Sequence, residues 1–249
     1  MSGHNRWTKI KRAKGAVDAA RGRAFTKIIK EITIAARMGG GDPAGNPRLR
    51  KAVDLAKATN MPADTWARAI KKGTGELEGI NYEEAVYEGY GPGGVAMIVE
   101  CLTDNRNRTA GDVRSSFTRG GGNLAVEGAV SWMFERRGLI EVKAGPTEDQ
   151  VMEAAIEAGA EDVVNQGGDG FEVRTHPNDL HQVSGALEKQ FKLGARRLGY
   201  VPKDSVRIQD PDKARSLLKL MDLLDELDDV QNVHANFEMD DKLMEALAQ

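Results

Sequence analysis

The sequence predicts an α+β protein, a small three-helix domain followed by ferredoxin-like α/β units. Three observations carry this. Helical periodicity with caps and glycine stops occupies residues 23–73. Beyond residue 79, short apolar strands alternate with helices. The charge changes sign at the same junction. Residues 1–75 hold 17 Lys and Arg against 5 Asp and Glu, and the other 174 residues hold 18 against 33. The net charge of −3 therefore hides a basic third on an acidic body, an asymmetry that points to a polyanionic partner for the basic part.

Residues 1–22 are basic and nearly free of large apolar side chains. Trp7, Ile10 and Val17 are too sparse to bury a face, so this arm is expected to be poorly ordered without a partner. From Arg23 to Arg37, Phe25, Ile28, Ile29, Ile32 and Ala36 share one helical face, and Arg23, Lys27, Lys30 and Arg37 gather opposite within about 80°. Ile34 falls among the cations. A second helix starts at Asn46 as N-cap with Pro47 in the first position, burying Leu49, Ala52, Val53 and Ala56. A third runs from Pro62 to Lys72, with Gly73 as its stop, and residues 73–79 read as a linker.

Strands follow at 84–88 and 95–102, a helix at 109–119, and strands at 129–134 and 139–143. A helix at 147–158 opens with the Thr147-x-x-Gln150 capping box. Beyond it come a strand at 171–175, a helix at 178–191, a strand at 205–209, a helix at 212–227, a strand at 230–238 and a terminal helix at 240–247. With 161–165 as a weak strand, residues 138–209 parse as strand-helix-strand-strand-helix-strand, the ferredoxin-like order. The unit at 94–135 is an incomplete version, which 212–238 would complete by making the middle domain discontinuous.

No chemistry-bearing motif points to an enzyme. Gly89-Tyr90-Gly91-Pro92-Gly93-Gly94 matches G-x-G-x-x-G but precedes a strand, so it reads as a hairpin turn. His4, His176, His181 and His234 lack metal-ligand spacing, and the lone Cys101 in an apolar strand reads as core. Asp228-Asp229 and Asp240-Asp241 look like solvated helix ends. The expectation is no cofactor, no metal, no small-molecule substrate and no membrane partner, with the cytoplasm as compartment: there is no apolar run of membrane length, no apolar leader core and no disulfide pair.

The candidate nucleic-acid-binding residues are His4, Arg6, Trp7, Lys9, Lys11, Arg12, Lys14 and Arg21 of the arm, with Arg23, Lys27 and Lys30 of the first helix. Cations interleaved with His4 and Trp7 suit single-stranded or irregular RNA, which is held by phosphate contacts and base stacking. Arg106 and Arg108, in Asp104-Asn105-Arg106-Asn107-Arg108-Thr109, precede a helix and offer a phosphate site; a surface turn that only caps the helix is an equal alternative. Lys71 and Lys72 read as cations complementing a helix C-terminus.

Several segments resemble the YebC/PmpR family, which includes the mitochondrial translational activator of cytochrome c oxidase. They are Ser2-Gly3-His4-Asn5-Arg6-Trp7-Thr8-Lys9-Ile10-Lys11, residues 21–27, 60–62, 69–75, 87–94 and 102–109, and Val230-Gln231-Asn232-Val233 with Asn236-Phe237. The resemblance implies an N-terminal helical domain and two α/β domains, the third inserted in the second: an arm at 1–22, a helical domain at 23–78, a middle domain at 79–136 plus 210–249, and an insertion at 137–209. It also implies a non-enzymatic cytoplasmic protein of gene expression. The family's members are called transcriptional regulators, and they are credited with ribosome association and relief of stalls at proline-rich stretches. Departures are Asn5-Arg6 for Ser-Lys, Ala20 for a common Lys, and His234 for a usual Tyr. The leading expectation is a ribosomal-RNA-associated translation factor; the alternatives are a DNA-binding transcriptional regulator and a protein-interaction adaptor.

Overall fold

The structure is a computed structural model and describes residues 17–247. Helix α1 spans Val17–Gly39, six residues upstream of the expected start. Helices α2 (Pro47–Ala58) and α3 (Ala63–Thr74) pack on it around Ile28, Ile32, Leu49, Val53 and Ala69. Asn46 joins α1 to α2. Its Oδ1 accepts the Leu49 N–H (3.1 Å) and its Nδ2 donates to the Ala35 and Gly40 carbonyls at 2.7 and 2.9 Å. Gly73 does not end α3 as expected. It lies inside the helix because α1 passes so close that a Cβ there would sit 2.4 Å from the Thr33 carbonyl oxygen. Gly75, in the left-handed region at φ +83°, forms the cap.

Strands β1 (Glu83–Gly91) and β2 (Val95–Thr103) form an antiparallel hairpin across the Gly91–Gly94 turn. Helix α4 (Arg106–Arg119) and the short β3 (Asn123–Leu124) follow. The inserted domain comprises β4 (Phe134–Val142), α5 (Glu148–Ala158), β5 (Asp162–Asn165), β6 (Phe171–Thr175), α6 (Leu180–Leu187) and β7 (Leu193–Pro202). The chain then returns through β8 (Val206–Ile208), α7 (Pro211–Asp225), β9 (Val230–Ala235), β10 (Phe237–Met239) and α8 (Asp241–Leu247).

The inserted sheet has the order β5-β6-β4-β7 and the middle sheet β3-β1-β2-β9. Both are the ferredoxin-like arrangement, with the second strand of the motif at one edge and the fourth at the other. In the middle domain the third-strand position is filled by β1, which precedes the rest. That is why the sequence unit from residue 94 looked incomplete. Helices α4 and α7 cover one face of the middle sheet through Val113, Phe117, Leu217 and Leu220 against Met97, Val99 and Val233. Ala96 and Ile98 on the other face meet Val130 and Phe134, with Tyr200 of β7 alongside, and this joins the two α/β domains.

Several expected elements differ. Of the strand expected at 129–134 only Phe134 is extended, as the first residue of β4, because the Glu88 carboxylate takes the N–H groups of Gly128, Val130 and Ser131 at 2.9, 2.6 and 2.9 Å and holds them in a loop. These donors keep the Glu88 carboxyl below its usual range against the opposing effect of burial. The fourth inserted strand is β7, not residues 205–209, which pair in parallel with β10 instead. The expected strand 230–238 breaks at Asn236, whose Oδ1 accepts the Ala96 N–H (2.7 Å). The expected helix 178–191 is shortened to α6 by a preceding 3-10 turn. The Thr147–Gln150 capping box forms as expected.

Candidate nucleic-acid interface

The basic stripe of α1 should face solvent on periodicity alone. The structure corrects this: the stripe lies on the middle domain, with Lys30 only 6% exposed and Ile34 4%. The Lys30 ammonium donates to Asp229 Oδ1 at 2.5 Å and to the Asp228 carbonyl at 3.0 Å, and its Nζ sits 5.6 Å from the Tyr82 ring centroid. One turn earlier, Lys27 donates to the Asp225 carbonyl (2.8 Å) and to its carboxylate (3.4 Å). Arg37 donates to the Ile80 and Tyr82 carbonyls, both at 3.2 Å. The α7–β9 corner thus supplies the anions that a phosphate backbone would otherwise bring.

The same corner engages the second predicted cluster. Asp229 Oδ2 accepts from Thr109 Oγ1 at 2.6 Å and from Arg108 Nη2 at 2.9 Å, and Arg108 also reaches Asp104 at 2.6 Å. Burial pushes the Asp229 carboxyl up, but hydrogen bonds from Lys30, Thr109 and Arg108 outweigh it and hold the group below the usual carboxylate range. Asp228-Asp229 is therefore not a solvated pair: Asp228 is exposed and Asp229 is buried. The α4 N-terminus is closed by its own cap, Asn105 Oδ1 accepting the Arg108 N–H (3.0 Å). Arg106 lies apart, on Glu83 (2.7 Å) and the Glu84 carbonyl (2.8 Å).

Lys27, Lys30 and Arg108 are thus brought together around Asp225 and Asp229. Arg23 is half-buried on α1, one helical turn before Lys27. Arg21 lies on α1, and His4, Arg6, Trp7, Lys9, Lys11, Arg12 and Lys14 lie outside the described residues. The expectation of a poorly ordered arm falls mostly there too, although residues 17–22 are helical. Asp229, Thr109 and Tyr82 were missed by sequence reasoning. The available signal was Ile34, an apolar residue in the middle of a cationic stripe.

Arg68, Lys71 and Lys72 are exposed on α3, which follows α2 after the four-residue turn Thr59–Pro62. His234 is buried, 3.0 Å from Glu100 and edge-on to Tyr200. Among the described residues, no three His, Cys, Asp or Glu side chains are placed to hold a metal, and no helix is long and apolar enough to cross a membrane.

Residues 5–76 match the TACO1/YebC protein N-terminal domain, and residues 82–237 match the TACO1/YebC second and third domain. The chain belongs to the TACO1/YebC family. The N-terminal-domain match takes in the arm from Asn5 and all three helices, and the second match takes in both sheets. A TACO1/YebC relative in Myxococcus xanthus, named "probable transcriptional regulatory protein", is 59% identical over 250 residues, covering 100% of both chains. A protein of the same name in Desulfotalea psychrophila is 55% identical over 251 residues, again covering 100% of both. The crystal structure of a conserved hypothetical protein from Aquifex aeolicus is 49% identical, covers 90% of this chain and 93% of its own, and superposes with a TM-score of 0.83.

Proposed function

We propose that this TACO1/YebC chain is a nucleic-acid-binding regulator of gene expression whose preferred target is ribosomal RNA, and that it acts in the cytoplasm by binding rather than by catalysis. The carrying observation is the arm. Arg6, Lys9, Lys11, Arg12 and Lys14 are interleaved with His4 and Trp7 in a segment with too little apolar surface to need them as solubilising cover. Continuous helix from Val17 leads from the end of this segment into the anchored stripe at Lys27 and Lys30. In this reading the helical domain aims the arm, the α/β domains fix its position on a ribosome stalled at a proline-rich stretch, and the acidic body limits indiscriminate binding.

A second reading, a DNA-binding transcriptional regulator, is favoured by the names of the relatives and by the α2–turn–α3 pair. Such a pair, joined by a short turn, matches a helix-turn-helix in connection length, with Arg68, Lys71 and Lys72 exposed on its second helix. Crosslinking in cells with sequencing of the bound nucleic acid separates the two. Ribosomal RNA is expected; promoter DNA without ribosomal RNA would replace the first reading with the second. Replacing Lys9, Lys11, Arg12 and Lys14 with Glu should abolish ribosome cosedimentation, and unchanged cosedimentation would remove the arm from the mechanism.

A further inference from the structure

Three features of the α1 stripe belong together. First, the hydrogen bonds that the Lys27 and Lys30 ammoniums donate go to carboxylate and carbonyl oxygens of residues 225–229. Charge-assisted N–H···O contacts of this kind are what phosphate oxygens provide to lysine. Second, the helical domain closes its own core. Its hydrophobic cluster and that of the middle domain share no residue among the described ones. The ties seen between them are polar, including Arg48 to Glu84 at 2.8 Å, and Ile34 is the one apolar side chain on the stripe itself. An interface of this character favours relative domain motion. Third, Asp229 retains Thr109 and Arg108 as donors if Lys30 departs, so separation leaves no unpaired carboxylate in the middle domain. The connecting segment 75–81 is exposed and irregular, and seven residues reach about 24 Å when extended.

We infer that the Lys27–Lys30 stripe is a concealed polyanion-binding surface, held shut by the carboxylates of Asp225 and Asp229, and that a nucleic-acid backbone displaces them. This rests on the nucleic-acid reading above and adds its regulation. The closed form presents the arm alone. The open form adds two phosphate contacts and frees the helical domain to turn about the 75–81 segment. The acidic corner is thus a competitor for the protein's own ligand.

The test uses the full-length protein and a uridine 30-mer as probe, with affinity measured by fluorescence anisotropy over a range of salt concentrations. Removing the competitor with D225N/D229N should steepen the slope of log K against log salt by about 1.4, at about 0.7 per phosphate on a single strand, and tighten binding about tenfold at 0.15 M salt. Asp225 is half exposed, so D225N alone leaves the fold intact and should give about half the change in slope. As a control for net charge, E135Q/E161Q removes two carboxylates from the inserted domain, where both pair with Arg137. Unchanged slopes in both aspartate variants, or an equal gain in the control, would overturn the latch. If the wild-type protein does not bind the probe and the arm variant does not differ from it, the proposed function itself falls.

Discussion

Lys30 and Asp229 meet at 2.5 Å with less than a tenth of either side chain exposed, although they stand 199 residues apart. The pair joins the N-terminal helical domain to the last part of the middle domain. It also stands where the two predicted basic clusters converge, because Asp229 accepts from Arg108 with its other oxygen. Neither cluster is a free cationic surface in this state.

Truncating the aspartate should be costly. Asp229→Ala removes the acceptor shared by Lys30, Thr109 and Arg108, and is expected to destabilise the protein by about 3–5 kcal/mol in urea denaturation. Glu83→Ala, which removes an exposed partner of Arg106, should cost less than about 1 kcal/mol. Equal effects would show that burial of the Lys30 pair carries no special weight.

Acid should weaken the same junction. The folded Asp229 carboxyl titrates below its unfolded value, so the unfolded chain takes up the proton first as pH falls. The stabilisation is complete well above the ordinary aspartate value of about 3.9, and is lost as pH drops through the lower folded value. Glu88 acts in the same direction. Denaturation midpoints should therefore fall steeply below about pH 4, and Asp229→Asn should flatten that fall.

Glu88→Ala tests the loop after β3. Three backbone donors lose their acceptor, and since an orphaned buried donor costs about 1–3 kcal/mol, a total loss near 3 kcal/mol is expected. Hydrogen exchange should accelerate at Gly128, Val130 and Ser131 while α5 and α6 stay protected. Protection unchanged at those three amides would contradict the assigned role.

Gly73→Ala should disrupt the α1–α3 contact, because the new methyl would press on the Thr33 carbonyl and on Ala36. Overpacking of this kind costs about 1–3 kcal/mol. It would appear as a lower melting temperature, with far-ultraviolet circular dichroism preserved at 20 °C.

What was legible in the sequence was local. The Asn46 cap, the Thr147 capping box and the Gly91–Gly94 turn depend on neighbours a few residues away, and each is found where its pattern places it. The features that escaped depend on distant partners. Glu88 reaches forty residues ahead for backbone donors and so removes an apparent strand. Strand β7, half-buried with Arg196, Arg197 and two glycines, lacks the alternation that marks a strand. The α1 stripe has the composition of a solvated face, and only carboxylates almost two hundred residues away turn it inward. Nothing in the chain near Lys30 encodes that.

The distance along the chain between Lys30 and Asp229 also sets an order of events during synthesis. At about 5–20 residues per second, the basic third leaves the ribosome roughly 10–40 s before its acidic counterpart is made. The β2 edge that β9 later covers waits about two-thirds as long. Early in that interval a nascent copy of this protein is therefore a net-cationic chain tethered beside ribosomal RNA, its stripe uncovered and its intramolecular competitor not yet in existence.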